Sequence, residues 1–201
     1  MADATSAPLQ PVSPLTRWRD RFSALAPAIL LAESPVAQVI VRTTDVTAIA
    51  QLDLPAACQV RRADDESAIW LGPDEWLLCR PGVTGHDYLA EVASRLTDAT
   101  GVYLMDATGQ RTRLLLGGPF ATTILAHGCA IDLHPQSFGP DGAAQTLLAQ
   151  AGIILHRNGT GDEETDPQFA VFVRSSFADY LAHWLVDASV EYVTSPESAR
   201  S

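Results

Sequence analysis

Apolar positions along the chain fall in two alternating patterns, and the alternation runs twice. Short β-branched or apolar runs give way to stretches in which apolar residues recur every three or four positions. Val36 to Arg42 is rich in β-branched residues and predicts a strand. Val46 to Leu52 predicts a short helix with Asp45 as its N-cap. Cys58 to Arg62, Ala68 to Leu71 and Glu75 to Arg80 predict a three-segment meander, turned first at Asp64-Asp65-Glu66 and then at Gly72-Pro73-Asp74. From His86 to Leu96 the residues Leu89, Val92, Ala93 and Leu96 share one face, the mark of an amphipathic helix. Gly101 ends it, and Val102 to Asp106 resume a strand.

The second half repeats this grammar. Arg111 to Leu116 predicts a strand leaving a turn at Gly109, and Phe120 to His127 a short helix behind Pro119, a favoured first helical residue. Strands follow at Ala144 to Ala149 and Ile153 to His156, around Gly152, and at Phe169 to Arg174; a helix spans Phe177 to Val186. The tetrapeptide D-Y-L-A occurs at Asp87 to Ala90 and again at Asp179 to Ala182, each time after a strand ending in arginine, Arg80 or Arg174. That context predicts a degenerate duplication. Helices falling between β-pairs imply antiparallel sheets with helices on one face, hence an α+β fold of two ferredoxin-like halves. The expected bounds are an N-terminal arm and lead-in over 1–30, a first half over 31–107, a second half over 108–193 and a C-terminal tail over 194–201.

Composition narrows the function. The chain has 201 residues, 13 basic against 24 acidic, a net charge of −11. A chain this acidic has no field for phosphate backbones or anionic membrane surfaces, so neither nucleic acid nor a membrane is an expected partner. All thirteen basic residues are arginine; without lysine there is no Schiff base and no phosphate-loop lysine. No G-x-G-x-x-G, H-E-x-x-H or G-x-S-x-G is present. Cys58, Cys79 and Cys129 are odd in number and show no C-x-x-C spacing, as in an intracellular protein. Arg17, Arg19 and Arg21 before the apolar stretch from Ala24 to Ala32 resemble a secretory signal, but Asp20 and Pro27 interrupt the pattern. The expectation is a cytoplasmic protein.

Four groups of residues invite chemistry. His127, Cys129, Asp132 and His134 are metal-ligand types in one short loop, yet leave no evident further ligand, and a helix end with Gly128 as a left-handed stop explains them as well. Asp106, Gln110, Arg111 and Arg113 surround a hairpin and suit a carboxylate or a pterin-like ring; cross-strand ion pairing accounts for the same set. The acidic run Asp162 to Asp166 lacks the oxygen pattern of a calcium loop and reads as a solvated tip. Trp184 has helical spacing to Leu181 and reads as core, whereas Trp70 and Trp76 flank strands where an interface role is open. No catalytic, cofactor-binding or metal-binding residue emerges; Trp70, Trp76, Arg111 and Arg113 are the candidate interface residues.

Longer strings add a resemblance. W-L-G-P-D-E-W-L-L at Trp70 to Leu78 and D-A-T-G-Q-R-T-R-L-L-L-G-G-P-F-A-T-T-I-L-A-H-G-C-A-I-D-L at Asp106 to Leu133 are two of them. Q-T-L-L-A-Q-A-G-I-I-L at Gln145 to Leu155 and F-A-V-F-V-R-S-S-F-A-D-Y-L-A-H-W-L at Phe169 to Leu185 complete the set. In order and spacing they resemble the gamma subunit of heterotetrameric sarcosine oxidase over roughly Val36 to Val186. More distantly, Leu114 to Leu125 is similar to the folate-binding aminomethyltransferase superfamily. The resemblance implies ferredoxin-like halves and a complex with alpha, beta and delta subunits. That complex demethylates sarcosine oxidatively to glycine and hydrogen peroxide and passes the one-carbon unit to tetrahydrofolate. It also implies that FAD, FMN, NAD and the folate site belong to other subunits, and it transfers no catalytic residue to this chain. The alternative is a free-standing folate-binding or aminomethyltransferase-like protein, for whose third domain a chain of this length leaves little room.

Overall fold

A computed structural model describes residues 12–158 and 168–194. Its strands are β1 (Leu30–Glu33), β2 (Ala37–Arg42), β3 (Val60–Ala63), β4 (Glu66–Gly72), β5 (Glu75–Arg80), β6 (Tyr103–Asp106), β7 (Arg111–Gly117), β8 (Ala143–Leu148), β9 (Ala151–Arg157) and β10 (Phe169–Arg174). The α-helices are α1 (Arg19–Ser23), α2 (Val46–Gln51), α3 (Gly85–Ser94), α4 (Ala121–Ala126) and α5 (Ala178–Thr194). Asp45 caps α2 by accepting from the Thr47 N–H at 2.8 Å, and the Thr84 hydroxyl caps α3 by accepting from Asp87 N at 3.1 Å.

Two five-stranded antiparallel sheets result, in the orders β6-β2-β5-β4-β3 and β1-β7-β10-β9-β8. Laid out this way they are the same design. Each is a ferredoxin-like sheet extended by one edge strand, β3 or β8, so the expected α+β class holds. The halves differ at the other edge. In the first, β6 follows α3 in sequence and pairs with β2. In the second, the equivalent place beside β7 is taken by β1 from the beginning of the chain, with Leu31 opposite Leu116. A first half drawn from residue 31 therefore takes in a strand that closes the second sheet.

Strand alternation sorts the core into three layers. Val39 and Val41 of β2 and Leu78 of β5 pack with Tyr88 and Val92 of α3 on one outer face. Leu114, Leu155, Phe169 and Val171 pack with Leu181 and Leu185 of α5 on the other. Between the sheets, Ile40, Ile69 and Leu77 meet Ile154, Ala170 and Phe172. The order is helices, sheet, sheet, helices. Of the N-terminal arm and lead-in, residues 1–11 lie outside the described residues, and the lead-in packs into the fold, with Leu15, Trp18, Phe22, Leu25 and Ile29 buried in the core of the second half. The tail from 195 onward and the acidic run Asp162 to Asp166 lie outside the described residues.

Candidate functional site

The chemically unusual region is the layer between the sheets. Residues of β7 alternate, so Leu114 and Leu116 face the helices while Arg111, Arg113 and Leu115 face the other sheet. Arg113 donates from Nε to the Ser34 carbonyl at 3.0 Å and from its terminal nitrogen to the Ser34 hydroxyl at 2.5 Å. Arg111 holds the side-chain oxygen of neighbouring Gln110. The Gln38 side-chain amide on β2 donates across the layer to the Arg111 backbone carbonyl at 2.7 Å, joining the halves. Gln145 does the same from β8, donating to the Leu71 carbonyl at 2.5 Å.

Two reactive side chains lie in this layer, and burial silences both. The Cys79 thiol is 1% exposed, and desolvation pushes it up to about 12 against the pull of Arg113, so it stays protonated at neutral pH. His156 is 1% exposed; burial, with Arg62 and Arg113 nearby, drops it to about 4. Its Nδ1–H donates to the Arg157 carbonyl at 2.7 Å, which leaves Nε2 unprotonated and without a partner. A protonated thiol and a sealed neutral imidazole offer neither a nucleophile nor a base with access to solvent.

The remaining candidates resolve into separate places. Asp106 sits opposite Val39 on the helix-facing side of the first sheet and accepts from Thr108 N at 2.9 Å. Its carboxylate lies so close to Gly85, at the start of α3, that a Cβ there would come within 2.3 Å of both oxygens. It makes no ion pair with Arg111 or Arg113, so the cross-strand ion pairing expected of this set does not form, and the alternative carboxylate or pterin set does not assemble around it either. His127 meets the Tyr192 hydroxyl at 3.0 Å, Cys129 is buried, and Asp132 accepts from His134 N at 3.0 Å and the Ser137 hydroxyl at 2.6 Å. Among the described residues no three His, Cys, Asp or Glu side chains are placed to hold a metal. Gly128 has no left-handed backbone; it is needed because the Trp184 ring passes where a Cβ would be.

The tryptophans divide. Trp76 is 4% exposed and donates its indole N–H to the Pro55 carbonyl at 3.0 Å, so it belongs to the chain's own core and is not a surface anchor. Trp70 is half-buried and keeps open surface. Sequence reasoning passed over the apolar surface of edge strand β6, where Tyr103 and Met105 are exposed beside a cleft of about 600 Å³ that also borders Ile40 and Arg42. The signal was present: Tyr103 and Met105 alternate with Leu104 and Asp106 in a strand predicted at that place.

The profile described as the sarcosine oxidase, gamma subunit family matches residues 34–191. The chain belongs to that family. It is 35% identical over 130 residues to the sarcosine oxidase subunit gamma of Corynebacterium sp. (strain P-1), an alignment covering 65% of this chain and 60% of that one. The Arthrobacter sp. subunit gamma is 33% identical over 132 residues, covering 66% and 61%. The match thus spans about three fifths of the length of these relatives. The heterotetrameric sarcosine oxidase of Corynebacterium sp. U-96, in complex with pyrrole 2-carboxylate, contains a chain with TM-score 0.80 and 29% identity, covering 92% of this chain and 97% of that one. Aminomethyltransferase T of the Bartonella henselae glycine cleavage system shares the fold, at TM-score 0.59 and 18% identity over 83% of this chain and 48% of that one. Among the described residues no helix is long and apolar enough to cross a membrane.

Proposed function

We propose that this chain is a non-catalytic gamma subunit of a cytoplasmic heterotetrameric sarcosine oxidase, bracing flavin-bearing chains. Alpha, beta and delta subunits are its partners, and FAD, FMN and NAD sit in those partners. The complex takes sarcosine, dioxygen and tetrahydrofolate to glycine, hydrogen peroxide and a folate-bound one-carbon unit. The observation that carries this reading is the architecture shared, over 92% of this chain and 97% of that one, with a chain of a heterotetrameric sarcosine oxidase. The buried, protonated Cys79 and the neutral His156 support a bracing role over a catalytic one. Trp70, Arg111 and Arg113, half-buried with open surface, are the contact residues this reading retains.

Expression of the partner subunits with and without this chain tests the reading. With it, sarcosine-dependent peroxide forms and all four chains elute together. Without it, the flavin-bearing chains fail to assemble, and this chain alone turns over no sarcosine. Full activity of the partners in its absence would overturn the bracing role.

A further inference from the structure

Arg111 of β7 and Arg174 of β10 stand directly opposite one another in the second sheet. Both lie on the strand positions that face the first sheet, in step with Leu115 and Phe172. With Gln145, Ile154 and Phe172 they line a cleft of about 400 Å³. Like charges directly opposite on neighbouring strands destabilise a sheet. Arg111 bears that cost while half-buried: burial, and then the charge of Arg174, push its guanidinium down. Glu75 acts on it only from beyond ion-pair reach.

In so acidic a chain a carboxylate partner is easily supplied, and the half-buried arginines of the first half each have one. Arg61 and Arg95 hold Glu66 at 2.8 Å, and Arg80 holds Glu91 at 2.5 Å. Among the described residues neither Arg111 nor Arg174 makes an ion pair, and the Arg174 side chain makes no hydrogen bond. Two guanidiniums carried by directly opposed strand positions border a cleft with an apolar floor at Ile154 and Phe172. Arg111 spends one terminal nitrogen on Gln110, and the remaining N–H donors of the pair suit an acid group. The floor excludes water from one side of whatever enters, which strengthens the charge-assisted bonds.

We propose that the Arg111–Arg174 cleft binds a carboxylate. Its source is a free small organic acid or an acidic side chain of a partner chain; the site does not depend on the subunit reading. Thermal unfolding of the full chain, with succinate replacing chloride at constant ionic strength, tests it. Succinate raises the wild-type Tm saturably. Arg174→Gln removes an exposed side chain with no bond to break, so it folds, starts at or above the wild-type Tm without succinate, and does not respond. A purely structural Arg174 would start below. Arg19→Gln, on α1, keeps the response.

The same titration on the assembled complex separates the sources. A retained response means a free acid. A lost response, with Arg174→Glu releasing the chain at lower salt than wild type, means a partner's side chain. The proposal is overturned if wild type and Arg174→Gln unfold alike across the succinate series and the Arg174→Glu complex dissociates at the wild-type salt concentration.

Discussion

The Tyr88 hydroxyl donates a 2.8 Å hydrogen bond to Oε2 of Glu66, a buried carboxylate at the start of β4. Arg61 and Arg95 each add a bond of 2.8 Å to the same group. Helix α3 and the meander are thereby locked together by one charge that the first sheet shields from water. Glu66→Ala leaves the Tyr88 hydroxyl without its acceptor and takes one carboxylate from Arg61 and Arg95, which keep Asp53 and Glu91, and the expected loss is about 1–3 kcal/mol. Urea unfolding of the two proteins at neutral pH measures it. Burial raises the Glu66 carboxyl, but the bonds from Arg61, Tyr88 and Arg95 prevail and hold it below its ordinary value. Its contribution is therefore present above the unfolded carboxylate pKa of about 4.3 and lost as pH falls through the lower folded value.

His156 acts in a different window. Its folded pKa, dropped to about 4 by burial, lies below the unfolded value of about 6.5. Between these values the unfolded chain binds a proton that the folded chain refuses, so stability rises with pH across that range and falls on acidification. The expected size is roughly 3 kcal/mol, from 1.36 kcal/mol per unit. Unfolding free energy measured from pH 4 to 7 should flatten in His156→Phe. An unchanged slope would mean that the imidazole is not sealed.

Gly128→Ala places a methyl 2.7 Å from Cζ2 of Trp184 and 2.9 Å from the Ala149 nitrogen. The backbone nitrogen is itself bonded to the Gly128 carbonyl at 2.9 Å and has no room to yield. A destabilisation of about 1–3 kcal/mol is expected, read as a lower urea midpoint at unchanged slope.

Trp18 is 4% exposed, stacks on Phe22, and donates its indole N–H to Asp179 at 2.8 Å. Trp18→Ala is expected to cost about 3–5 kcal/mol, as a core residue would. A loss of a few tenths would make the lead-in a removable arm.

Local pattern predicted most of the elements. β5 and β10 coincide with their expected bounds, and β2 and α2 differ by one residue at an end, because alternation and caps are written in neighbouring residues. What failed was non-local. Leu30–Glu33 carries no sign that it crosses to pair with β7, since register across so long a separation depends on which edge the fold leaves open. Glu66 read as part of a charged turn; two arginines and a tyrosine from elsewhere make its burial tolerable. The D-Y-L-A repeat marks equivalent helices but not equivalent roles: Tyr88 is buried on Glu66, whereas Tyr180 is 41% exposed. Of the expected contact residues, Trp76 was misplaced because a tryptophan after a turn looks the same from sequence whether it points in or out. α5 runs on to Thr194, past the expected stop at Val186, as buried Ser189 returns its hydroxyl to the Leu185 carbonyl at 2.6 Å and leaves no competing polar group.

Gentle affinity purification of the tagged chain from its own host, with a visible spectrum and mass identification of what elutes, tests the central claim most directly. The account predicts yellow material in which larger chains are stoichiometric with this one and sarcosine yields hydrogen peroxide. A colourless chain eluting without partners would contradict it.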